Sequence, residues 1–195
     1  MLEPNLKSST FEGTVEIDIT ILKDTDEIVL NACELDIKNC SIVKNPELIE
    51  VPLDIILDDK TERIKFKFKN DLRPGRHTLK INFSGKLNDQ LRGFYRSNFV
   101  DEQGVSHTIA TTQFESTDAR RAFPCWDEPS FKATFNISLI VPSDQFVVSN
   151  APIKNETNVG TDKRHVQFED TMLSLIHISE PTRPRLISYA VFCLK

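Results

Sequence analysis

Thr14-Val15-Glu16-Ile17-Asp18-Ile19-Thr20-Ile21 decides the fold. Apolar residues fall on every second position with charged or hydroxyl residues between them, so one set of side chains faces a core and the other faces water: a half-buried strand. The same period returns in Ile64-Lys65-Phe66-Lys67-Phe68-Lys69, with lysines on the wet face. It returns again in Leu79, Ile81 and Phe83, after the turn Arg73-Pro74-Gly75-Arg76. Two alternating runs joined by a Pro-Gly turn predict a hairpin. Further on, Phe131, Ala133, Phe135, Ile137, Leu139 and Val141 alternate until Pro142 ends the run, and Phe146-Val147-Val148 and Val166-Gln167-Phe168 supply shorter pieces. No long stripe of helical period is present. Several strands with polar turns between them predict an all-β fold, an antiparallel sandwich or curved sheet. Neither repeats nor low-complexity linkers divide it, so one domain is expected.

Composition narrows the function. The 195 residues hold 24 Lys and Arg against 29 Asp and Glu, a formal charge of −5, with 39% hydrophobic residues and thirteen Phe against six Gly. Disorder, collagen and disulfide-dense miniproteins are excluded. An acidic balance also argues against nucleic acid as a partner, since phosphate binding needs a basic face. No apolar run reaches the length of a membrane segment, and Met1-Leu2-Glu3-Pro4-Asn5 lacks the basic start and apolar centre of a signal peptide.

Leu173–Lys195 fits none of the element patterns around it. Leu173-Ser174-Leu175-Ile176-His177-Ile178-Ser179-Glu180-Pro181-Thr182-Arg183 resembles the one-frame translation of a transposase-type sequencing-library adapter. Pro184-Arg185-Leu186 would cover the variable index, and Ile187 to Leu194 the flow-cell end. The segment is therefore set apart from the fold as a processing scar, the other reading being a natural variant C-terminus. Without it one acid (Glu180) and three bases (Arg183, Arg185, Lys195) go, leaving 21 bases against 28 acids and a net charge of −7 for residues 1–172. Cys33, Cys40 and Cys125 remain, an odd number at no metal-ligand spacing. That usage predicts reduced thiols in a cytoplasmic compartment, against which stand the sequons at Asn39, Asn136 and Asn155.

The stretch with most chemistry is Thr112-Gln113-Phe114-Glu115-Ser116-Thr117-Asp118-Ala119-Arg120-Arg121-Ala122-Phe123-Pro124-Cys125-Trp126-Asp127-Glu128-Pro129. It breaks the strand pattern with dense charge beside the only Trp, a mixture typical of site-bearing loops. Glu115 is a candidate for binding a cationic group through a charge-assisted hydrogen bond, with Gln113 on the same face if the chain is extended. The residue types equally allow Glu115 to be a solvated charge, or a partner for Arg120 or Arg121. Asp118, Arg120, Arg121, Asp127 and Glu128 read as an ion-pair network tying the loop to the sheet, with Phe123, Pro124 and Trp126 beneath. His77, His107, His165 and His177 are far apart and never at ligand spacing, so no zinc site and no catalytic residue is expected within this chain. His77 and His107 read as surface or loop residues.

Thr112-Gln113-Phe114-Glu115 through Asn136-Ile137 resembles the signature of the N-terminal domain of zinc-dependent aminopeptidases of the aminopeptidase N and puromycin-sensitive aminopeptidase family. Phe11-Glu12-Gly13-Thr14-Val15, Gly93-Phe94-Tyr95-Arg96-Ser97 and Phe168-Glu169-Asp170-Thr171 are similar to landmarks of that domain in the same order, so the resemblance spans residues 1–172. It implies a saddle-like antiparallel β-sandwich that packs on a catalytic domain and sends one loop into the active site. It further implies that Glu115 binds the free α-amino group of a peptide substrate and that Gln113 lines the pocket for the first side chain. The family's Gly-x-Met-Glu-Asn and His-Glu-x-x-His segments do not occur here. The expectation is thus a substrate-recognition piece, incomplete at both ends, of a zinc enzyme whose catalytic domain and ligands lie elsewhere. A free-standing peptide- or protein-binding sandwich is the alternative.

Overall fold

A computed structural model describes residues 1–45, 48–175 and 191–193. Sixteen strands succeed one another among the described residues: β1 Leu2–Asn5, β2 Thr10–Ile21, β3 Thr25–Asn31, β4 Leu35–Asn45, β5 Leu48–Glu50, β6 Asp54–Asp58, β7 Arg63–Leu72 and β8 Gly75–Lys86 in the first half. The second half holds β9 Gly93–Val100, β10 Ser106–Gln113, β11 Lys132–Ala133, β12 Ser138–Pro142, β13 Ile153–Val159, β14 Lys163–Phe168, β15 Ser174–Leu175 and β16 Val191–Cys193. The sole helical element among the described residues is a single 3-10 turn, Ala119–Arg121. The fold is all-β.

One sheet has eight strands in the order β13-β14-β12-β1-β2-β8-β4-β5, antiparallel throughout except where β1 runs parallel to β12. A second layer has β6-β7-β3, while β9 and β10 form a hairpin that β16 joins, and β11 pairs with β15. Most of Leu173–Lys195 lies outside the described residues, and the adapter reading of that segment with it.

The core follows from the alternation. Ile28 and Leu30 of β3, Ile64, Phe66 and Phe68 of β7, and Leu79, Ile81 and Phe83 of β8 are buried in one apolar cluster with Phe11 of β2. Opposite faces carry the polar residues. Glu16 stands directly across from Lys80 with its carboxylate 2.6 Å from the ammonium, and Thr78 donates to Asp18 at 2.7 Å. Pairs this exposed contribute little energy but oppose a one-residue slip, which would drive Glu16 and Asp18 inward.

Three expectations are corrected. The turn at Arg73–Arg76 does not close a hairpin. β7 pairs with β3 and β6 and β8 with β2 and β4, so the chain crosses from one layer to the other there. Both strands bury every second residue, and each satisfies its backbone with different neighbours. The alternating run Phe131–Val141 is not one strand: only Lys132–Ala133 and Ser138–Pro142 are ladders, and Phe131 is exposed against Trp126 with ring centroids 6.1 Å apart. Between them Phe135 N–H donates to the Thr171 hydroxyl and the Phe135 carbonyl accepts from Thr171 N–H, which replaces the regular ladder. His77 is buried rather than superficial, its Nε2 donating to the Arg73 carbonyl at 2.9 Å. His107 is half-buried, 2.6 Å from Asp101 and stacked on Phe99.

Candidate functional site

β10 ends at Gln113, opposite Gly93 of β9. Thr111 and Thr112 are buried there, Gln113 is half-buried, Phe114 turns inward and packs edge-on against Phe123, and Glu115 is exposed. Gln113 and Glu115 thus flank an inward aromatic at the strand's exit. Asp118 N–H donates to the Phe114 carbonyl at 2.9 Å and closes the loop on itself.

The segment after the loop is stitched to the rest of the domain through backbone and charge together. Asn31 and Cys125 exchange N–H···O=C bonds of 2.8 and 3.1 Å, Cys33 N–H donates to the Arg120 carbonyl, and Ala32 N–H donates to the Glu62 carbonyl. Asp127, whose side chain is fully buried, accepts from Arg120 Nε at 2.9 Å, while its own N–H donates to Asn31 Oδ1. Arg120 Nη1 also reaches Glu62 at 3.0 Å. Arg121 meets three carboxylates: Asp118 at 2.9 Å through Nε, Glu34 at 2.8 Å and Glu62 at 3.4 Å.

The expected network therefore exists for Asp118, Arg120, Arg121 and Asp127, whereas Glu128 is exposed. Two of its members were not in the sequence reading. Glu34 and Glu62 lie on turns of the β3-β4 and β6-β7 connections, both at positive φ (57° and 51°), and nothing in their local sequence marks them as ion-pair residues. Burial opposes ionisation of Glu62, but hydrogen bonds from the Cys33 thiol and Arg120 and the two guanidinium charges outweigh it. Its carboxyl is held below the usual carboxylate range. Burial, then the hydrogen bond to Glu62, pushes the Cys33 thiol up to about 11, and burial pushes Cys40 up to about 12. Neither thiol is an activated nucleophile. No group of three His, Cys, Asp or Glu stands together as a metal site among the described residues.

These elements make a two-layer all-β domain with a charge-anchored loop at the end of β10. Residues 1–174 match the peptidase M1 N-terminal domain, and the chain belongs to that family. It is 44% identical over 173 residues to Aminopeptidase M1 of Arabidopsis thaliana, covering 87% of this chain and 20% of that protein. Puromycin-sensitive aminopeptidase of Caenorhabditis elegans is 36% identical over 190 residues, 97% of this chain and 19% of the relative. Alanine/arginine aminopeptidase of Saccharomyces cerevisiae is 39% identical over 176 residues, 87% of this chain and 20% of the relative. The chain spans about a fifth of the length of the curated relatives it matches.

Proposed function

We propose that this chain is the substrate-recognition part of a zinc-dependent aminopeptidase, which removes residues from the free N-terminus of peptides. Glu115 accepts the α-ammonium and Gln113 lines the pocket for the first side chain. One observation carries the reading: the loop puts an exposed carboxylate at its tip while Phe114 and Asp118 anchor both flanks. A carboxylate held at a fixed place sets the register of a bound peptide, so that only its first bond reaches the reacting centre.

The described residues hold no cluster of ligands that fits zinc. In this proposal its ligands and the hydrolytic groups belong to a catalytic domain beyond this chain. The chain alone should show no zinc-dependent turnover of an aminoacyl anilide. Reduced thiols at Cys33, Cys40 and Cys125 support a cytoplasmic location, and no helix of the described residues is long and apolar enough to cross a membrane. We also propose that Leu173–Lys195 is adapter-derived. Sequencing the native transcript across the Met172 codon tests this: a frame that continues into His-Glu-x-x-His supports both proposals, and a transcript ending after Lys195 refutes both.

In the full-length protein, Glu115→Ala removes one charge-assisted bond worth about 1.5–3 kcal/mol, so kcat/KM should fall roughly 10- to 150-fold. An unchanged kcat/KM refutes the assignment.

A further inference from the structure

Glu115 is exposed at the start of the loop. What holds the loop is a chain of contacts running away from it. Asp118 N–H ties the loop's end to the Phe114 carbonyl at 2.9 Å, and the Asp118 carboxylate is gripped by Arg121 Nε at 2.9 Å. The Arg121 side chain is only 9% exposed, and its far end reaches Glu34 and Glu62 on the turns that flank β3 and β7. Its stem passes over Gly93, the residue paired with Gln113. A Cβ at position 93 would lie 2.6 Å from Arg121 Cβ and 3.3 Å from the Asp118 carbonyl oxygen, and Gly93 adopts φ +70°. The space that a side chain at 93 would fill is the space in which Arg121 lies.

We propose that Arg121, clamped by Glu34 and Glu62 and seated over Gly93, is a positioning residue that sets the place of Glu115 for the substrate ammonium. This rests on the reading of Glu115 given above. The geometry suits arginine alone: a planar guanidinium meets three carboxylates from three segments, whereas a lysine ammonium offers a point charge that cannot hold the same fork. A carboxylate near solvent gains from an ammonium only if it is already in place, and a misplacement of about 1 Å can cost on the order of 100-fold in rate.

The test is a double-mutant cycle in the full-length protein, with an alanyl anilide as substrate and kcat and KM read separately. Glu115→Ala should lower kcat/KM, and Arg121→Lys should lower it roughly 10-fold or more, chiefly through KM, with the thermal midpoint recorded alongside. In the Glu115→Ala background, Arg121→Lys should cost little further, because the group it positions is gone. An equal cost in both backgrounds, or none in either, overturns the clamp while leaving the Glu115 assignment standing. If Glu115→Ala itself changes nothing, the amine site is wrong and the clamp falls with it. Should Arg121→Lys not fold, Glu62→Gln, a turn residue one-third exposed, takes its place in the same cycle with the same required non-additivity.

Discussion

Gly13→Ala tests the packing that sets β2 against β8. Gly13 lies opposite Phe83 and Gly85 opposite Phe11, so each phenyl ring covers the glycine across from it. A Cβ at 13 would lie 2.4 Å from Phe83 Cζ, 2.6 Å from Cε2 and 3.0 Å from Leu2 Cδ2. The first of these falls about 1 Å short of van der Waals contact. The ring has nowhere to retreat, because Phe83 is 1% exposed and meets Phe11 edge-on at 6.4 Å, and Phe11 in turn meets Phe94 at 5.1 Å. Overpacking of this kind costs about 1–3 kcal/mol, which for a domain of this size lowers Tm by roughly 2–12 °C. Urea unfolding followed by Trp126 fluorescence measures it. Phe83→Leu removes the clashing atoms, so the double variant should be less destabilised than the sum of the two single ones. A Gly13→Ala chain within about 0.5 kcal/mol of the parent, or strictly additive losses, would refute the argument.

Asp127→Asn should destabilise the chain by about 3–5 kcal/mol, because it removes the charge from a fully buried carboxylate 2.9 Å from Arg120; a loss below about 1 kcal/mol in urea would refute this. Glu62 titrates below its ordinary value of 4.5, so its contribution is present above that pH and is lost as pH falls through the lower folded value. Glu62→Gln should therefore cost more stability near pH 7 than at about pH 3, and a cost that does not change with pH would contradict the ion-pair assignment.

Much of the fold was legible because alternation reports directly on which side chains face inward. β2 reads from Val15 to Ile21 as a half-buried strand and is one, with Glu16 and Asp18 wet and Ile21 buried. Alternation does not report the neighbour, however. β7 and β8 bury alternate residues equally well whether they pair with each other or face each other across a core, and Arg73-Pro74-Gly75-Arg76 serves a crossover as readily as a hairpin. Phe131 to Ile137 shows the converse failure. Period two is present, yet Phe135 finds its backbone partner in Thr171 and Phe131 packs outside on Trp126, so pattern alone overestimated the strand.

The candidate site divides along the same line between local and distant information. Its loop stood out by charge, but whether a given carboxylate joins the ion-pair network depends on residues remote in sequence. Glu115 and Asp118 are both acids in one short loop. Asp118 is gripped by Arg121, whose other partners are Glu34 and Glu62, and Arg120 is committed to Asp127 and Glu62. Two of the four acids that balance the arginines thus come from turns that no local pattern distinguishes. Glu34 and Glu62 share that balance with Asp118, which fastens the loop through Arg121, and Glu115 lies exposed in the same loop. A sequence reading that saw only the loop's own acids had no means of telling how Asp118 is held.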